Sequence, residues 1–472
     1  MSTYDAVIVG SGPNGLAAAI TLAKTGRKVL VLEAKDTLGG GMRTMELTEP
    51  GYWHDVCSSV HPLGVASPFF HDLPLHEYGL EWVYPTAGLA HPMLDDTAVI
   101  LEKSIPATAA RLGPDEEAYR RLMEYLVHNQ SAILNEFLAP IHFPRHPFVM
   151  ASFGLKALQS GSGFARRTFQ TEAARGMFAG LAAHAMMPLE KIATASFGLM
   201  LGMLLHGVGW ALARGGSRSI GMAMARYLAT MGGEIVTGME VRSLADIPPA
   251  PLQLFDTSPR TLLQVVGDAF PAGYRHQLER YRYGMGVVKV DYALSEPIPW
   301  RARECALAGT VHLGSTLAKI SASERAAFSG HQVDEPYTLV VQPTLFDSTR
   351  APEGKHIGWA YCHVPNGSPN DYSPLIDAQI ERYAPGFKDI IIGRRVHTAQ
   401  QMEAYNANYV GGDINSGVQD LRQLFTRPTL QINPYRTPIK GVYICSSATP
   451  PGGGVHGMCG YHAAMTALRD IL

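Results

Sequence analysis

The chain has 472 residues, of which 46% are hydrophobic and 17% are charged, and its formal net charge is −2. This length and composition can bury a large core, and they predict two or three domains. No run of Lys or Arg exceeds two residues, so the basic surface typical of nucleic-acid-binding proteins is missing and we expect no nucleic acid partner.

The five cysteines are scattered through the chain without a CxxC pair, and no HExxH motif is present. The spacing of His54, His61, His71 and His76 matches no known ligand pattern, so we predict no metal site. No signal-peptide pattern precedes the strand-like residues 4–10, and we therefore expect a cytoplasmic protein.

The N-terminal segment follows the order strand, glycine-rich turn, helix, strand and acid. Gly10, Gly12 and Gly15 occupy the three glycine positions of a dinucleotide fingerprint, and Glu33 ends the second strand. The first glycine permits a tight turn, the second lets the backbone approach a pyrophosphate, and the third lets the helix pack on the strand. Glu33 is placed to accept hydrogen bonds from ribose hydroxyls, and its charge would repel a 2′-phosphate. The pattern predicts NAD or FAD rather than NADP.

Two stretches in the middle of the chain carry further predictions. Within residues 283–300, Val288, Val290, Tyr292 and Leu294 alternate with Lys289 and Asp291, which indicates a strand with one buried face. We interpret Lys289 and Asp291 as its solvent-exposed face, and a catalytic role is the alternative. Residues 195–213 are apolar enough to resemble a membrane span, but they contain His206 and four glycines. A buried helix is the favoured interpretation, and an element on a membrane surface is the alternative.

The closing loop, residues 446–464, reads SSATPPGGGVHGMCGYHAA and contains a second glycine pattern at Gly452, Gly454 and Gly457. An independent nucleotide site would need another strand and acid after these glycines, and none follows. We therefore interpret this loop as part of the site that the N-terminal loop begins. Cys459 lacks a CxxC partner and is interpreted as a packing residue.

Together, these motifs resemble the phytoene desaturase-like flavoproteins, the group that includes carotenoid desaturases and isomerases, retinol saturases and pyridine nucleotide-disulfide oxidoreductase domain-containing proteins. The resemblance extends over nearly the whole chain and rests on the N-terminal fingerprint, the Gly39-Gly40 pair, the turn at Gly215 and the closing loop. It implies an α/β fold, in which a Rossmann-like FAD-binding domain of the amine oxidase and phytoene desaturase type carries an inserted α+β substrate domain. The implied FAD-binding domain comprises residues 1–75, 215–285 and 425–472, and the substrate domain comprises residues 76–214 and 286–424.

FAD is the cofactor that the resemblance implies. By analogy with the group, the Gly39-Gly40 pair would approach the diphosphate, backbone near Val241 would hold the adenine, and the helix after Gly457 would direct its N-terminus at the flavin. The predicted FAD-binding residues are Gly10, Gly12, Pro13, Asn14, Gly15, Glu33, Ala34, Gly40, Gly41, Arg43, Thr44, Val241, Ser446, Ser447, Gly454, Gly457 and Met458.

Two positions depart from the pattern of the amine oxidases. Gly41 stands where arginine usually follows the double glycine, and Arg43 comes two positions later. Ser446 stands at the strand end where many relatives have glycine or an acid. Both departures disfavour an amine oxidase and leave the FAD prediction unchanged.

The implied function is dehydrogenation, saturation or isomerisation of a small hydrophobic substrate of isoprenoid or carotenoid type, by hydride exchange with flavin N5. Because FAD carries out the chemistry, a protein acid or base need not be present. If a proton is transferred, the group would be His456, His61 or Tyr461, with His206 as a further candidate. The alternative for each is a structural residue whose polar atoms are satisfied by backbone hydrogen bonds. Two other classes stay open: a non-redox protein that binds prenyl or lipid groups, and a flavin amine oxidase. The electron acceptor, the direction of reaction, the oligomeric state and peripheral association with a membrane also stay open.

Overall fold

The computed structural model describes residues 4–471. Within that part of the chain the strands are β1 Ala6–Val9, β2 Val29–Leu32, β3 Thr44–Glu46, β4 Trp53–Asp55, β5 Trp82–Val83, β6 Ala87–Pro92, β7 Ala98–Glu102, β8 Leu212–Ala213, β9 Glu234–Val236, β10 Leu252–Phe255, β11 Gly286–Leu294, β12 Ala308–Leu313, β13 Thr338–Val341, β14 His356–Val364, β15 Ile391–His397 and β16 Val442–Ile444. The α-helices are α1 Pro13–Ala23, α2 Pro62–Ala66, α3 Pro68–His71, α4 Ile105–Ala109, α5 Glu116–His128, α6 Gln130–Phe137, α7 Pro147–Ala157, α8 Gly161–Thr168, α9 Glu172–Ala183, α10 Ala195–Gly207, α11 Arg218–Thr230, α12 Pro259–Val266, α13 Ala272–Glu279, α14 Leu317–Phe328, α15 Ser373–Tyr383, α16 Ala399–Tyr405, α17 Leu421–Phe425 and α18 Met458–Ile471.

Five parallel strands form the first sheet, in the order β16-β10-β1-β2-β9. Helix α1 connects β1 to β2, so the N-terminal βαβ unit is present as the sequence predicts. Every residue of β1 and β2 is buried, because helices and loops cover both faces of the sheet. The five strands come from widely separated parts of the chain, and the domain boundaries inferred from the sequence stay a prediction.

The second sheet has seven strands in the order β15-β11-β14-β13-β12-β6-β7, and its pairs are antiparallel except for β12 with β6. The predicted strand is β11, but the assignment of Lys289 and Asp291 to a solvent-exposed face is wrong, because their side chains are 1% and 0% exposed. One face of β11 packs Val288 and Val290 into a core that includes residues of α15. Strand β4 covers the opposite face, where His54 Nδ1 lies 3.5 Å from Asp291 Oδ1. Alternation showed that β11 has two different faces, and only the tertiary structure shows that both are covered.

Two buried ion pairs lie in this covered layer. Lys289 Nζ lies 2.5 Å from both carboxylate oxygens of Asp291. Arg350 Nη2 lies 2.9 Å from Asp55 Oδ2. Burial raises the pKa of Asp291 to about 6, although the Lys289 ammonium acts in the opposite direction. Each charge depends on its partner, because an isolated ion in such surroundings is strongly destabilising.

The apolar residues 195–213 form helix α10 and strand β8, and the buried-helix interpretation is confirmed. Leu199, Met203 and Leu204 are 0% exposed, and α10 packs against α9 and α5. The imidazole of His206 is held by the Tyr119 hydroxyl at 2.7 Å, on its Nε2 atom. Among residues 4–471, no helix combines the length and apolarity needed to cross a membrane.

Helices α1 and α18 pack against each other through glycine. A Cβ atom on Gly460 would lie 1.8 Å from the Asn14 carbonyl oxygen, and one on Gly457 would lie 3.0 Å from the Ala17 Cβ atom. This close approach places the closing loop beside the N-terminal loop, although more than 400 residues separate them in the chain.

Candidate functional site

The loop between β1 and α1 depends on approaches that leave no room for a side chain. A Cβ atom on Gly15 would lie 2.0 Å from the Gly10 carbonyl oxygen, and one on Gly12 would lie 2.5 Å from Asp256 Oδ2. Gly10 has a φ of +101°, in the left-handed region that favours glycine. The loop leads directly into α1, which has Pro13 as its first residue. The free amides and the positive end of the helix dipole suit an anionic group such as a pyrophosphate.

Glu33 is fixed at the end of β2 by hydrogen bonds to both carboxylate oxygens. Its Oε1 accepts from Arg43 Nη2 at 2.8 Å, and its Oε2 accepts from the Ser11 amide at 3.0 Å and the Ser11 hydroxyl at 2.6 Å. Arg43 is held in turn by the Thr37 carbonyl, which accepts from Nε at 2.9 Å. Glu33 and Arg43 are both buried and their charges compensate each other. The carboxylate therefore has a defined position beside the glycine loop, where the sequence places a ribose.

The second glycine element reaches the first. A Cβ atom on Gly40 would come within 2.9 Å of the Gly12 Cα atom, and Gly40 has a φ of +55°. The Gly39 amide donates to the Ser11 hydroxyl at 3.1 Å. Ser58 donates to the Gly41 carbonyl from its hydroxyl at 2.9 Å, which ties the second element to the following loop. The two glycine loops thus form one cradle.

Two buried polar atoms at this cradle have no partner among residues 4–471: Asn14 Oδ1 and Thr257 Oγ1. The side-chain Nδ2 of Asn14 donates to the Ser447 hydroxyl at 3.2 Å, which links the N-terminal and closing loops. Unpartnered buried polar atoms are rare in native proteins, so these atoms indicate a ligand with several hydrogen-bonding groups. The glycine cradle, the helix N-terminus and these atoms fit the diphosphate and ribose groups of FAD.

A cavity of about 590 Å³ begins at the cradle and continues between the second sheet and α10. That volume lies in the range typical of ligand sites. The predicted FAD-binding residues that line it are Gly10, Gly12, Pro13, Asn14, Glu33, Ala34, Gly40, Gly41, Arg43, Val241, Ser446, Ser447 and Gly454. The part that we call the chamber is lined by His184, Leu201, Trp210, Thr310, Leu339, Val341, Trp359 and Tyr361.

Four predicted FAD-binding residues, Gly15, Thr44, Gly457 and Met458, are not part of the cavity lining. The Gly15 amide donates to Asp256 Oδ2 at 2.8 Å, and the Thr44 hydroxyl donates to Asp55 at 2.7 Å. Gly457 packs against helix α1, and Met458 is the first residue of α18. Their contacts are with the protein itself, and any direct role toward the cofactor stays a prediction.

Among the predicted proton-transfer residues, His61 lines the cavity. Its Nε2 lies 3.0 Å from the Ser217 hydroxyl, and its Nδ1 is buried without a partner in residues 4–471. Burial lowers the pKa of His61 to about 4, so the imidazole is neutral at pH 7. A neutral imidazole at this wall has the chemistry to accept or share a proton.

His456, Tyr461 and His206 lie outside the cavity lining. His456 Nδ1 accepts from the Met458 amide at 3.0 Å, next to the start of α18, and burial lowers its pKa to about 4. The Tyr461 ring packs against Phe69, with 5.9 Å between the ring centroids. The structure therefore brings His61 to the cavity and keeps the other three apart from it. Their catalytic roles stay predictions.

Asp256 is a cavity residue that the sequence analysis did not single out. It directly follows β10, at the carboxyl end of the first sheet, where ligands bind in open α/β sheets. Its position after a predicted strand could have indicated from the sequence that it lies at the site. Burial raises the pKa of Asp256 to about 7, and the negative charge of Glu33 acts in the same direction. The Gly15 and Gly12 amides act against this rise.

Comparison with known proteins agrees with this site. Residues 8–73 match the model of the NAD(P)-binding Rossmann-like domain. Pyridine nucleotide-disulfide oxidoreductase domain-containing protein 2 of Rattus norvegicus is 27% identical to this chain. The alignment covers 99% of this chain and 94% of that protein. One of the subunits of limonene dehydrogenase from Castellaniella defragrans is 22% identical over 99% of this chain and 95% of its own. This chain is an FAD-dependent oxidoreductase that is similar to these proteins over nearly its whole length.

The solved structures agree on the fold of this oxidoreductase. A triple mutant of putrescine oxidase, redesigned at its cofactor-binding site, superimposes with a TM-score of 0.66 and covers 99% of this chain and 98% of its own, at 17% identity. The resemblance inferred from the motifs is confirmed, and so is the fold class with its Rossmann-like FAD-binding part. FAD is the cofactor, and the cradle of two glycine loops is where the chain would hold its diphosphate.

Proposed function

We propose that this oxidoreductase exchanges hydride between FAD and an apolar, isoprenoid-like substrate, which it dehydrogenates, saturates or isomerises. The observation that carries the proposal is the chamber, which is continuous with the FAD cradle and has a mostly apolar and aromatic wall. Bound FAD supplies the hydride acceptor or donor. The chamber residues hold the substrate against it and exclude water, and His61 offers a neutral ring nitrogen at the wall.

The composition of the chamber wall also argues against an amine oxidase. The carboxylates among the described residues that line the cavity are Glu33, Glu240 and Asp256. They lie at the end of the cavity that would hold the nucleotide, away from the chamber. Glu33 is already paired with Arg43. A protonated amine in the chamber would therefore lack a counter-ion, and burying such a charge without a partner is unfavourable. The similarity over nearly the full length to a protein named as part of a limonene dehydrogenase supports an isoprenoid hydrocarbon skeleton instead.

The test is reduction of the FAD-loaded enzyme under anaerobic conditions. We expect an isoprenoid substrate to bleach the visible absorbance of the flavin, or to reoxidise chemically reduced flavin, and a diamine to do neither. Bleaching by the diamine, with peroxide formed in air, would establish the amine oxidase alternative. Tight binding of a prenyl compound without any spectral change of the flavin would establish the non-redox binding alternative.

We further propose that the enzyme meets a membrane surface through residues 141–158, which include α7. Phe143, Phe148 and Leu155 are 86%, 90% and 76% exposed, and the basic Arg145 is exposed beside them. Apolar side chains flanked by positive charge are typical of segments that lie in the interface of an anionic membrane. This surface is distinct from the apolar helix α10, which is buried.

Co-sedimentation with vesicles tests this membrane contact. We expect binding to vesicles that contain phosphatidylserine, and loss of that binding in the double variant Phe148→Ser/Leu155→Ser. The variant Ile392→Ser, at an exposed apolar residue of β15, is the control and should bind as the wild type does. Equal sedimentation of all three proteins would refute the contact.

A further inference from the structure

The chamber wall is not uniformly apolar, because the polar residues His184 and Thr310 line it, and a third polar residue, His312, contacts His184 without lining the chamber. We define the polar patch as His184, Thr310 and His312. His184 directly follows α9, and Thr310 and His312 are two residues apart on β12, so their side chains project from the same face of the sheet. In the register with β13, Thr310 lies opposite Val341 and His312 opposite Leu339, both of which line the chamber.

The two histidines of the patch contact each other. His184 Nε2 lies 3.3 Å from His312 Nε2, and the ring centroids are 5.2 Å apart. Burial lowers the pKa of His184 to about 3 and that of His312 well below its usual value. Both rings are therefore neutral at pH 7, and each carries one N–H group. One ring donates to the other between the two Nε2 atoms.

The surroundings of His312 determine which ring donates. Its Nδ1 is buried without a partner among residues 4–471, and Gly180 packs so closely that a Cβ atom there would lie 2.9 Å from it. A buried N–H group without an acceptor is rarer than a buried acceptor without a donor. We therefore place the proton of His312 on Nε2, where it is donated to His184. This leaves the proton of His184 on Nδ1, which forms no hydrogen bond with the described residues.

Thr310 adds a second free group to the same wall. Its Oγ1 is buried without a partner among residues 4–471, and the residue lines the chamber. His184 also lines the chamber and is half-buried. The patch thus offers one N–H donor and one hydroxyl within walls that are otherwise apolar, such as Leu339 and Val341. Polar groups left unpartnered at a buried site indicate a ligand atom that completes them.

We propose that His184 and Thr310 bind one oxygen atom, a hydroxyl or a carbonyl, on an otherwise hydrocarbon substrate. This inference rests on the proposed function and narrows its substrate class from isoprenoid hydrocarbons to isoprenoid-like alcohols, aldehydes and ketones. The oxygen accepts from the Nδ1–H of His184 and exchanges a hydrogen bond with the Thr310 hydroxyl. Such a contact fixes one end of a flexible apolar chain and so determines which carbon atoms reach the flavin.

The test compares an isoprenoid alcohol with the hydrocarbon of the same skeleton. Their dissociation constants are measured by equilibrium dialysis against the FAD-loaded enzyme, so that binding is read independently of turnover. We expect the wild type to bind the alcohol at least fivefold more tightly. Thr310→Val should remove most of this preference by weakening the binding of the alcohol, because valine keeps the shape of threonine without its hydroxyl. Thr310→Ser should retain the preference.

Three outcomes separate the two proposals. Equal affinity of the wild type for alcohol and hydrocarbon overturns the polar-patch proposal while leaving the proposed function in place. A preference that survives both Thr310→Val and His184→Phe also overturns it, because the oxygen would then bind elsewhere. Absence of binding of either isoprenoid to the folded, FAD-loaded wild type overturns the proposed function and this inference with it.

Discussion

The substitution Asp256→Asn tests how the buried carboxyl beneath the FAD cradle affects stability. The Asp256 Oδ2 atom accepts from the Gly15 amide at 2.8 Å, and an asparagine oxygen can accept the same bond. The substitution therefore keeps the shape and the hydrogen bond, but it removes a group that titrates. Its effect is expected to appear in the dependence of stability on pH.

The size of the effect follows from the pKa of this carboxyl. Burial raises it from 3.8 to about 7 in the folded protein. The folded state thus holds a proton that the unfolded state releases, so this contribution to stability is complete below pH 3.8 and is lost as the pH rises through 7. The full difference is worth about 4 kcal/mol, and about 3 kcal/mol of it falls between pH 5 and pH 8.

Urea unfolding of the wild type and of Asp256→Asn at several pH values between 5 and 8 measures this quantity. The free energy of unfolding of the wild type should fall relative to that of the variant by about 3 kcal/mol across this range. Asp268→Asn makes the same chemical change at an exposed residue and is the control. Its curve of unfolding free energy against pH should run parallel to that of the wild type. Parallel curves for the wild type and Asp256→Asn would refute a protonated carboxyl at this position.

Three further substitutions have defined outcomes. Gly15→Ala forces a Cβ atom to within 2.0 Å of the Gly10 carbonyl oxygen, so the purified variant should carry less flavin than the wild type. Gly273→Ala is the control, because no atom lies within 4 Å of a Cβ atom at that position. Equal flavin absorbance of the two variants would contradict this expectation. Lys289→Met leaves the Asp291 carboxylate buried without its partner and should lower the free energy of unfolding by about 3–5 kcal/mol, and Lys289→Met/Asp291→Leu should recover most of the loss in urea titrations. A double variant no more stable than the single one would show that the pair is not the cause. His456→Ala removes a buried imidazole that accepts from a backbone amide next to α18, so we expect about 2–4 kcal/mol of destabilisation from the lost hydrogen bond and the cavity, with flavin content and turnover retained. A large loss of turnover in folded enzyme would instead establish a catalytic role.

Much of the FAD cradle was predictable because its residues are adjacent in the chain and each has a local physical reason. The fingerprint glycines, the helix after them and the acid that ends β2 follow a fixed spacing, and the structure places Gly10, Gly12 and Glu33 at the cavity. The closing loop was also predicted to join this site. Its proximity to the first loop is visible in the hydrogen bond between Asn14 and Ser447.

The chamber could not be predicted in the same way, because its residues meet only through tertiary packing. His184 follows a helix and Thr310 lies on a strand more than 120 residues later, and neither has a local motif. The interpretation of Lys289 and Asp291 failed for a related reason. Alternation along a strand distinguishes its two faces, but it does not reveal whether another part of the chain covers the polar one.

The sequence by itself determined that the chain binds an adenine dinucleotide, since the backbone approach to a dinucleotide demands particular residues at short, fixed spacings. The choice of FAD over NAD came from the resemblance of its further motifs to the flavoproteins. The sequence also determined that residues 195–213 were apolar enough to be buried, although not what they pack against. Only the tertiary structure decided which polar side chains face the cavity, which are closed off by their neighbours, and which have no partner. Those properties depend on contacts between residues far apart in the chain, and for His184 and Thr310 they arise where α9 packs against the face of the second sheet.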